Sequence, residues 1–196
     1  MCRLVESIKV ENGQLVNIKW HNKRFNEARS EAFGVITPID LQEVIIIPKT
    51  LGNGVYKCRV LYGKEIEVVE FQTYTIRPVK SLKLVDGGDI DYHLKYENRE
   101  ALAQLMAQKG DADDILIVKN GFITDTSYSN IAFFDGKQWF TPDTYLLNGT
   151  QRQRLLAEGI VQEASIKPYD LHDFTLAKPI NSMLDFEETG CVKIII

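Results

Sequence analysis

A lysine, an aspartate, an arginine and a glycine-led helix start are the parts of this chain whose types and spacing suit chemistry. Lys95 stands where an extended segment gives way to a helix-forming one. A lysine there is ordinarily a solvated cation, but desolvated beside other cations it has a lowered pKa and can form a Schiff base. Thr124-Asp125-Thr126-Ser127-Tyr128-Ser129-Asn130 sets seven polar or hydroxyl-bearing residues between two apolar runs. It reads either as a plain loop or as a donor-rich site whose one acid, Asp125, can pair with a buried cation. In Leu147-Asn148-Gly149-Thr150-Gln151-Arg152-Gln153 a glycine and a hydroxyl residue open a helix. The open backbone N–H groups and the dipole of such an end favour a phosphate or carboxylate, although an ordinary cap has the same pattern. His21 and Arg24 lie three residues apart near the start of the first helix, where Arg24 can clamp an oxyanion with two donors or simply stand in solvent. His93 and His172 have no Asp or Ser at triad-like spacing, and the scattered His and Asp residues give no metal-binding cluster, so no metal site is expected.

The elements that must position these residues are short and mixed. Arg3 to Val10 alternates, Glu11-Asn12-Gly13 is a turn signal, and Gln14 to Trp20 resumes an extended pattern. His21 to Phe33 is predicted helical, stopped by Gly34. Val44 to Ile47, Tyr56 to Tyr62, Ile66 to Gln72 and Thr73 to Lys83 read as extended. A helix is predicted over Glu97 to Gln108. Two hairpins follow, turning at Asn120-Gly121 and Asp135-Gly136, then a helix from Thr150 to Glu158 and short strands beyond it. The fold class is α+β in two lobes, divided as 1–82 and 83–196, with Val85-Asp86-Gly87-Gly88-Asp89 as the linker.

Composition narrows the classes of function. With 196 residues and 44% hydrophobic content there is enough apolar material for a packed core, so disorder is not the dominant state. The longest apolar runs, such as Ile115 to Val118 and Ile194 to Ile196, are far below the roughly 20 residues of a membrane span. A net charge of −4 argues against a nucleic-acid binder. The three cysteines show no CxxC spacing, and Met1-Cys2-Arg3 leads into no apolar signal region, so reduced thiols and a cytoplasmic location are expected.

In chain order, these motifs resemble those of the class IV aminotransferase family, the fold-type IV enzymes that use pyridoxal 5′-phosphate (PLP). Glu6-Ser7-Ile8 is similar to the family's Glu-Thr-Ile, His21-Asn22-Lys23-Arg24-Phe25 to His-x-x-Arg-Leu/Phe, and Leu94-Lys95-Tyr96-Glu97-Asn98-Arg99 to its lysine segment. Thr124 to Ile131 is similar to Thr-Glu-x-x-x-Ser-Asn-Ile/Leu. Phe140-Thr141-Pro142 with Leu147 to Gln153 resembles Thr-Pro followed by Asn-Gly-x-x-Arg-Gln, and Ile180-Asn181-Ser182-Met183 stands at the family's last active-site turn. The resemblance implies a D-amino-acid-aminotransferase-like fold and a homodimer acting on a small amino substrate. It makes Lys95 the Schiff-base lysine and proton shuttle. Asp125, where the family usually has glutamate, becomes the partner of the pyridine nitrogen. Arg24, Gly149, Thr150, Gln151 and Ser182 are assigned to the phosphate side, and Ser129 and Asn130 to the rest of the cofactor site. Arg59, Arg77 and Lys83 are the candidate cations for substrate carboxylates. Lys95-Tyr96-Glu97-Asn98-Arg99 is closer to the Lys-His-Leu-Asn-Arg of the family's 4-amino-4-deoxychorismate lyases than to the aminotransferase pattern. A lyase is therefore the first expectation, a branched-chain or D-amino-acid aminotransferase the second, and a non-catalytic binding protein the third.

Overall fold

The computed structural model describes residues 2–195; Met1 and Ile196, the last residue of the C-terminal apolar run, lie outside the described residues. The chain folds as two compact units, one comprising residues up to Ile76 together with Leu94–Asn98, the other Arg77–His93 and the residues from Arg99 on.

The first unit is a four-stranded antiparallel sheet with a long helix on one face. Its strands are β1 (Leu4–Glu11), β2 (Gln14–Leu15), β3 (Val55–Tyr62) and β4 (Ile66–Thr73), in the order β2-β1-β3-β4. On β1 the alternation of side chains puts Leu4, Glu6, Ile8 and Val10 on one face, all buried. Three of them join the core with Phe25, Leu41, Val60 and Leu94; the fourth is a carboxylate. Helix α1 (Ile18–Phe33) buries His21, Phe25, Ala28 and Arg29, the spacing of one helical stripe. Gly34 ends it in the left-handed region at φ 68°, where its N–H closes on Ser30 O at 3.0 Å.

Two local expectations fail here. The extended pattern over Gln14 to Trp20 stops at Leu15, because Asn17 turns left-handed at φ 56° and the helix starts at Ile18. Val44 to Ile47 is not a strand. Asp40 caps a single helical turn, α2 (Leu41–Val44), which puts Leu41 and Ile45 together in the core. Spacing of four suits one turn of helix, whereas a strand would bury alternate residues.

The second unit holds two four-stranded sheets. One has the order β12-β5-β6-β7, from β12 (Lys193–Ile195), β5 (Ser81–Asp86), β6 (Asp114–Lys119) and β7 (Phe122–Thr126). The other has the order β10-β9-β8-β11, from β10 (Val161–Ala164), β9 (Trp139–Pro142), β8 (Asn130–Phe134) and β11 (Leu176–Ile180). Both Asn-Gly and Asp-Gly turns form as predicted, joining β6 to β7 and β8 to β9. Helix α4 (Thr150–Ala157) packs Leu155 against Ala132, Val161 and Ile180.

The expected linker at 85–89 needs correction. Val85 and Asp86 end β5, which runs parallel to both β6 and β12, and Leu82 and Val85 are buried. The division instead falls between Ile76 and Arg77, and Leu94–Asn98 belongs to the first unit. Helix α3 (Glu100–Met106) is shorter than the predicted 97–108 because residues 95–97 pair with β1 instead. Among the described residues no helix is long and apolar enough to cross a membrane, and no cluster of His, Cys, Asp or Glu could hold a metal ion.

Candidate active site

In the first unit the candidate lysine rides on the sheet. Leu4 and Tyr96 form an antiparallel bridge, Val5 N donates to Lys95 O at 2.9 Å, and Glu97 N donates to Arg3 O at 2.9 Å. The Glu97 carboxylate then takes Arg3 at 2.7 Å and Arg59 at 3.0 Å. Backbone pairing and ion pairs thus fix the half-buried Lys95 beside the first residues of β1. Arg59, a candidate substrate cation, is engaged with Glu97 and with Glu70 at 3.4 Å, so its role here is to brace the lysine segment.

Below that segment lies a buried charged cluster. Arg24 grips Glu6 along one edge of its guanidinium, Nε donating to Oε1 at 2.8 Å and Nη2 to Oε2 at 2.6 Å. His21 Nδ1 reaches the same Oε2 at 2.6 Å. A carboxylate only accepts, so the His21 proton sits on Nδ1. Its Nε2 is buried with no hydrogen-bond partner among the described residues. Burial lowers the His21 pKa and outweighs the Glu6 carboxylate, with the Arg24 and Lys95 charges adding to the fall, so the ring is neutral. Burial pushes the Glu6 carboxyl up, but the Arg24 charge and the bonds from His21 and Arg24 outweigh it and hold the pKa at about 2.

In the second unit, β7, β8, the start of α4 and the turn after β11 converge. Asp125, buried near the end of β7, accepts Asn130 Nδ2 on Oδ1 at 2.8 Å, and Leu146 N and Leu147 N on Oδ2 at 3.2 and 2.9 Å. Asn130 also donates to Leu147 O at 2.8 Å. Gly149 passes so close that a Cβ there would lie 2.0 Å from Asn130 Oδ1. Ser129 accepts Asn181 Nδ2 at 3.1 Å, and Gln151 Nε2 meets Leu184 O at 3.5 Å, so the turn containing half-buried Ser182 adjoins both. Desolvation raises the Asp125 pKa to about 6 despite the bonds from Leu147 and Asn130 and the Arg152 charge. Asp125, Ser129, Asn130, Gly149, Thr150, Gln151 and Ser182 therefore gather at one end of this unit. Lys83 is elsewhere, exposed and donating to Gln108 O at 3.0 Å, and Arg77 is exposed ahead of β5.

Two contributors carry no predicted site role. Glu6 was legible as a carboxylate among apolar residues at alternate strand positions. Arg152 is buried, stacked 4.1 Å from the Tyr145 ring centroid, and donates to Pro142 O at 3.0 Å and Glu163 at 2.5 Å. It ties the 142–148 loop to β10 and so supports the start of α4.

This arrangement has relatives. The model of the amino-transferase class IV family matches residues 93–187. An uncharacterized protein of Haemophilus influenzae is 38% identical over 185 residues, 93% of this chain and 98% of that protein. The crystal structure of a "putative 4-amino-4-deoxychorismate lyase" from Haemophilus somnus superposes with a TM-score of 0.86 at 31% identity, over 93% of this chain and 97% of that one. The chain belongs to the class IV aminotransferase family. It is a fold-type IV enzyme and depends on PLP. A PLP-bound "hypothetical aminotransferase" of Mycobacterium tuberculosis shares the fold, with a TM-score of 0.75 at 16% identity over 98% of this chain and 81% of that one. The side chains suit such a cofactor. A class IV enzyme needs an amine, a cation for phosphate and an anion for the ring nitrogen, and this chain offers Lys95, Arg24 and Asp125. The desolvated Asp125 carboxylate is an anion that a bound cation would relieve. The side-chain-free Gly149 lets Asn130 pack directly against the backbone ahead of α4.

Proposed function

We propose that this class IV enzyme is a cytoplasmic lyase that converts 4-amino-4-deoxychorismate to 4-aminobenzoate and pyruvate. The likeness to the Haemophilus somnus protein, at 31% identity over nearly the whole of both chains, carries the reading. The Lys95-Tyr96-Glu97-Asn98-Arg99 segment supports it.

PLP supplies an electron sink for charge that develops on the amine-bearing carbon. The residues that would hold it are Lys95, Arg24, Asp125, Ser129, Asn130, Gly149, Thr150, Gln151 and Ser182. Lys95 would hold the cofactor by its amine and, once displaced by the substrate's amine, would act as the base that takes the proton from the substrate's amine-bearing carbon. Loss of that proton lets the enolpyruvyl ether bond break and the ring become aromatic. The departing three-carbon group takes up one proton to leave as pyruvate, so the products have the atoms of the substrate. Asp125 would hold the ring nitrogen protonated, and its burial would make that pairing stronger than it would be in water. Arg24 and the first backbone N–H groups of α4 would take the phosphate.

The test is direct. Purified protein with PLP is given 4-amino-4-deoxychorismate, and 4-aminobenzoate and pyruvate are measured together; both are expected, and Lys95→Ala abolishes both. Keto-acid formation from branched-chain or D-amino acids with 2-oxoglutarate, without aminobenzoate, would replace this reading by an aminotransferase. Protein that takes up PLP and turns over neither set would be a binding protein. A homodimer is expected and is read by light scattering.

A further inference from the structure

We propose that Glu6 is a positioning residue that aims Arg24 at the cofactor phosphate, with His21 locking the carboxylate in place. This rests on the reading that Arg24 binds that phosphate.

Glu6 occupies a core-facing position between Leu4 and Ile8, on a strand hydrogen-bonded along its length to β3. It is the rigid member of the pair. Arg24 is the longer side chain with more rotatable bonds, and its side chain keeps 11% of its exposure whereas Glu6 keeps none. The direction of control is therefore from strand to arginine.

Stability does not account for the arrangement. A buried ion pair contributes little compared with an apolar residue of the same size, and this position is flanked by apolar neighbours that a leucine or methionine would join. What the pair does provide is direction. A planar guanidinium held along its Nε–Nη2 edge cannot rotate, so its Nη1 side points one way. Glu6 takes two of the five N–H donors a guanidinium carries. His21 contributes the second constraint. With only Arg24 the carboxylate could swing about its last bond. The Nδ1–H of a ring that is itself fully buried pins Oε2 at 2.6 Å.

The experiment compares apoprotein of wild type, Glu6→Gln, Glu6→Asp, Arg24→Met and the Glu6→Gln/Arg24→Met double variant. Each is titrated with PLP and with pyridoxal, which has the same aldehyde and ring but no phosphate. Dissociation constants come from absorbance, and folding is checked by circular dichroism and thermal melting. Glu6→Gln is expected to weaken PLP by about tenfold or more, the size of one lost charge-assisted bond, while pyridoxal changes less than about twofold. Glu6→Asp, too short to meet both donors at once, is expected to fall between and covers the case in which the glutamine variant does not fold. In the Arg24→Met background, Glu6→Gln is expected to leave the PLP-to-pyridoxal ratio unchanged. Equal weakening of both aldehydes by Glu6→Gln, or no weakening of either, would overturn the assignment while leaving Arg24 as phosphate ligand. Arg24→Met that keeps the full preference for PLP would overturn the reading beneath it as well.

Discussion

Gly149→Ala tests whether the turn before α4 is built on a steric requirement. The backbone there, φ −65° and ψ 142°, is one any L-residue adopts, so conformational freedom is not what demands glycine. Space is. The added methyl would sit 2.0 Å from Asn130 Oδ1, where ordinary contact begins at 3.4 Å, so Asn130 must retreat by more than an ångström. That breaks its bond to the Asp125 carboxylate and its bond to Leu147 O, both 2.8 Å. A buried bond to a charged group contributes about 1.5–3 kcal/mol and a neutral one about 0.5–1.5 kcal/mol. Gly149→Ala is therefore expected to cost about 2–4 kcal/mol, measured by urea unfolding of the apoprotein. Asn130→Ala is expected to cost a similar amount because it loses the same two bonds. The double variant decides the matter. With Asn130 truncated the methyl has room, so Gly149→Ala is expected to add less than about 0.5 kcal/mol in that background. Additive losses in the cycle, or a single Gly149→Ala loss under about 1 kcal/mol, would refute the clash.

Asp125 has a folded pKa raised from its ordinary 3.8 to about 6. The protonated form is thus favoured in the folded apoprotein, and the stability it contributes is fully present below 3.8 and lost as pH rises through 6. Asp125→Asn does not titrate, so from pH 4 to 8 its apoprotein stability is expected to rise relative to wild type by up to about 3 kcal/mol. A flat difference in denaturant titrations at the two pH values would contradict this. Loading with PLP is expected to pull the Asp125 carboxyl titration, followed by carbon NMR, well below 6. Glu6 has the opposite sign. Its pKa is lowered from 4.5 to about 2, so its contribution is present above 4.5 and lost as pH falls through 2. The acid limb of wild-type unfolding is expected to include about 3 kcal/mol that Glu6→Gln lacks.

The sequence exposed the parts of this molecule that are governed by neighbours in the chain. Asn120-Gly121 and Asp135-Gly136 need left-handed backbone at the turn, and both hairpins stand where those pairs placed them. Gly34 stops α1 for the same local reason. Distant pairing was harder to read. Nothing near Tyr96 announces that it bridges Leu4, yet that bridge shortens α3 and places Lys95. Val85 and Asp86 look like the start of a polar linker until β6 and β12 are laid beside them. Arg59 looked like a cation for a ligand, but two glutamates from elsewhere in the chain take it. Asp125, Ser129 and Asn130 fall in one short motif and Gly149, Thr150 and Gln151 in another, and the bonds of Asn130 to Asp125 and Leu147 O bring those two motifs together.

Polar residues at core positions stand out in both units more than exposed charges do. Arg77 and Lys83 are exposed. Three buried charged or polar side chains sit where the strand or helix period reserves space for apolar ones: Glu6 in the Leu4–Val10 alternation, His21 in the stripe with Phe25, Asp125 beside buried Ile123 and Thr124. Burial is costly at each of these positions. The cost is met in the first unit by a charge partner, Arg24, and in the second by backbone N–H groups and an amide, which leave the acid with a raised pKa. The two carboxylates are therefore prepared for different work. Glu6 already has its cation and holds it in place; Asp125 is stabilised by dipoles alone among its hydrogen-bond partners, and gains most from a cation that arrives with the ligand.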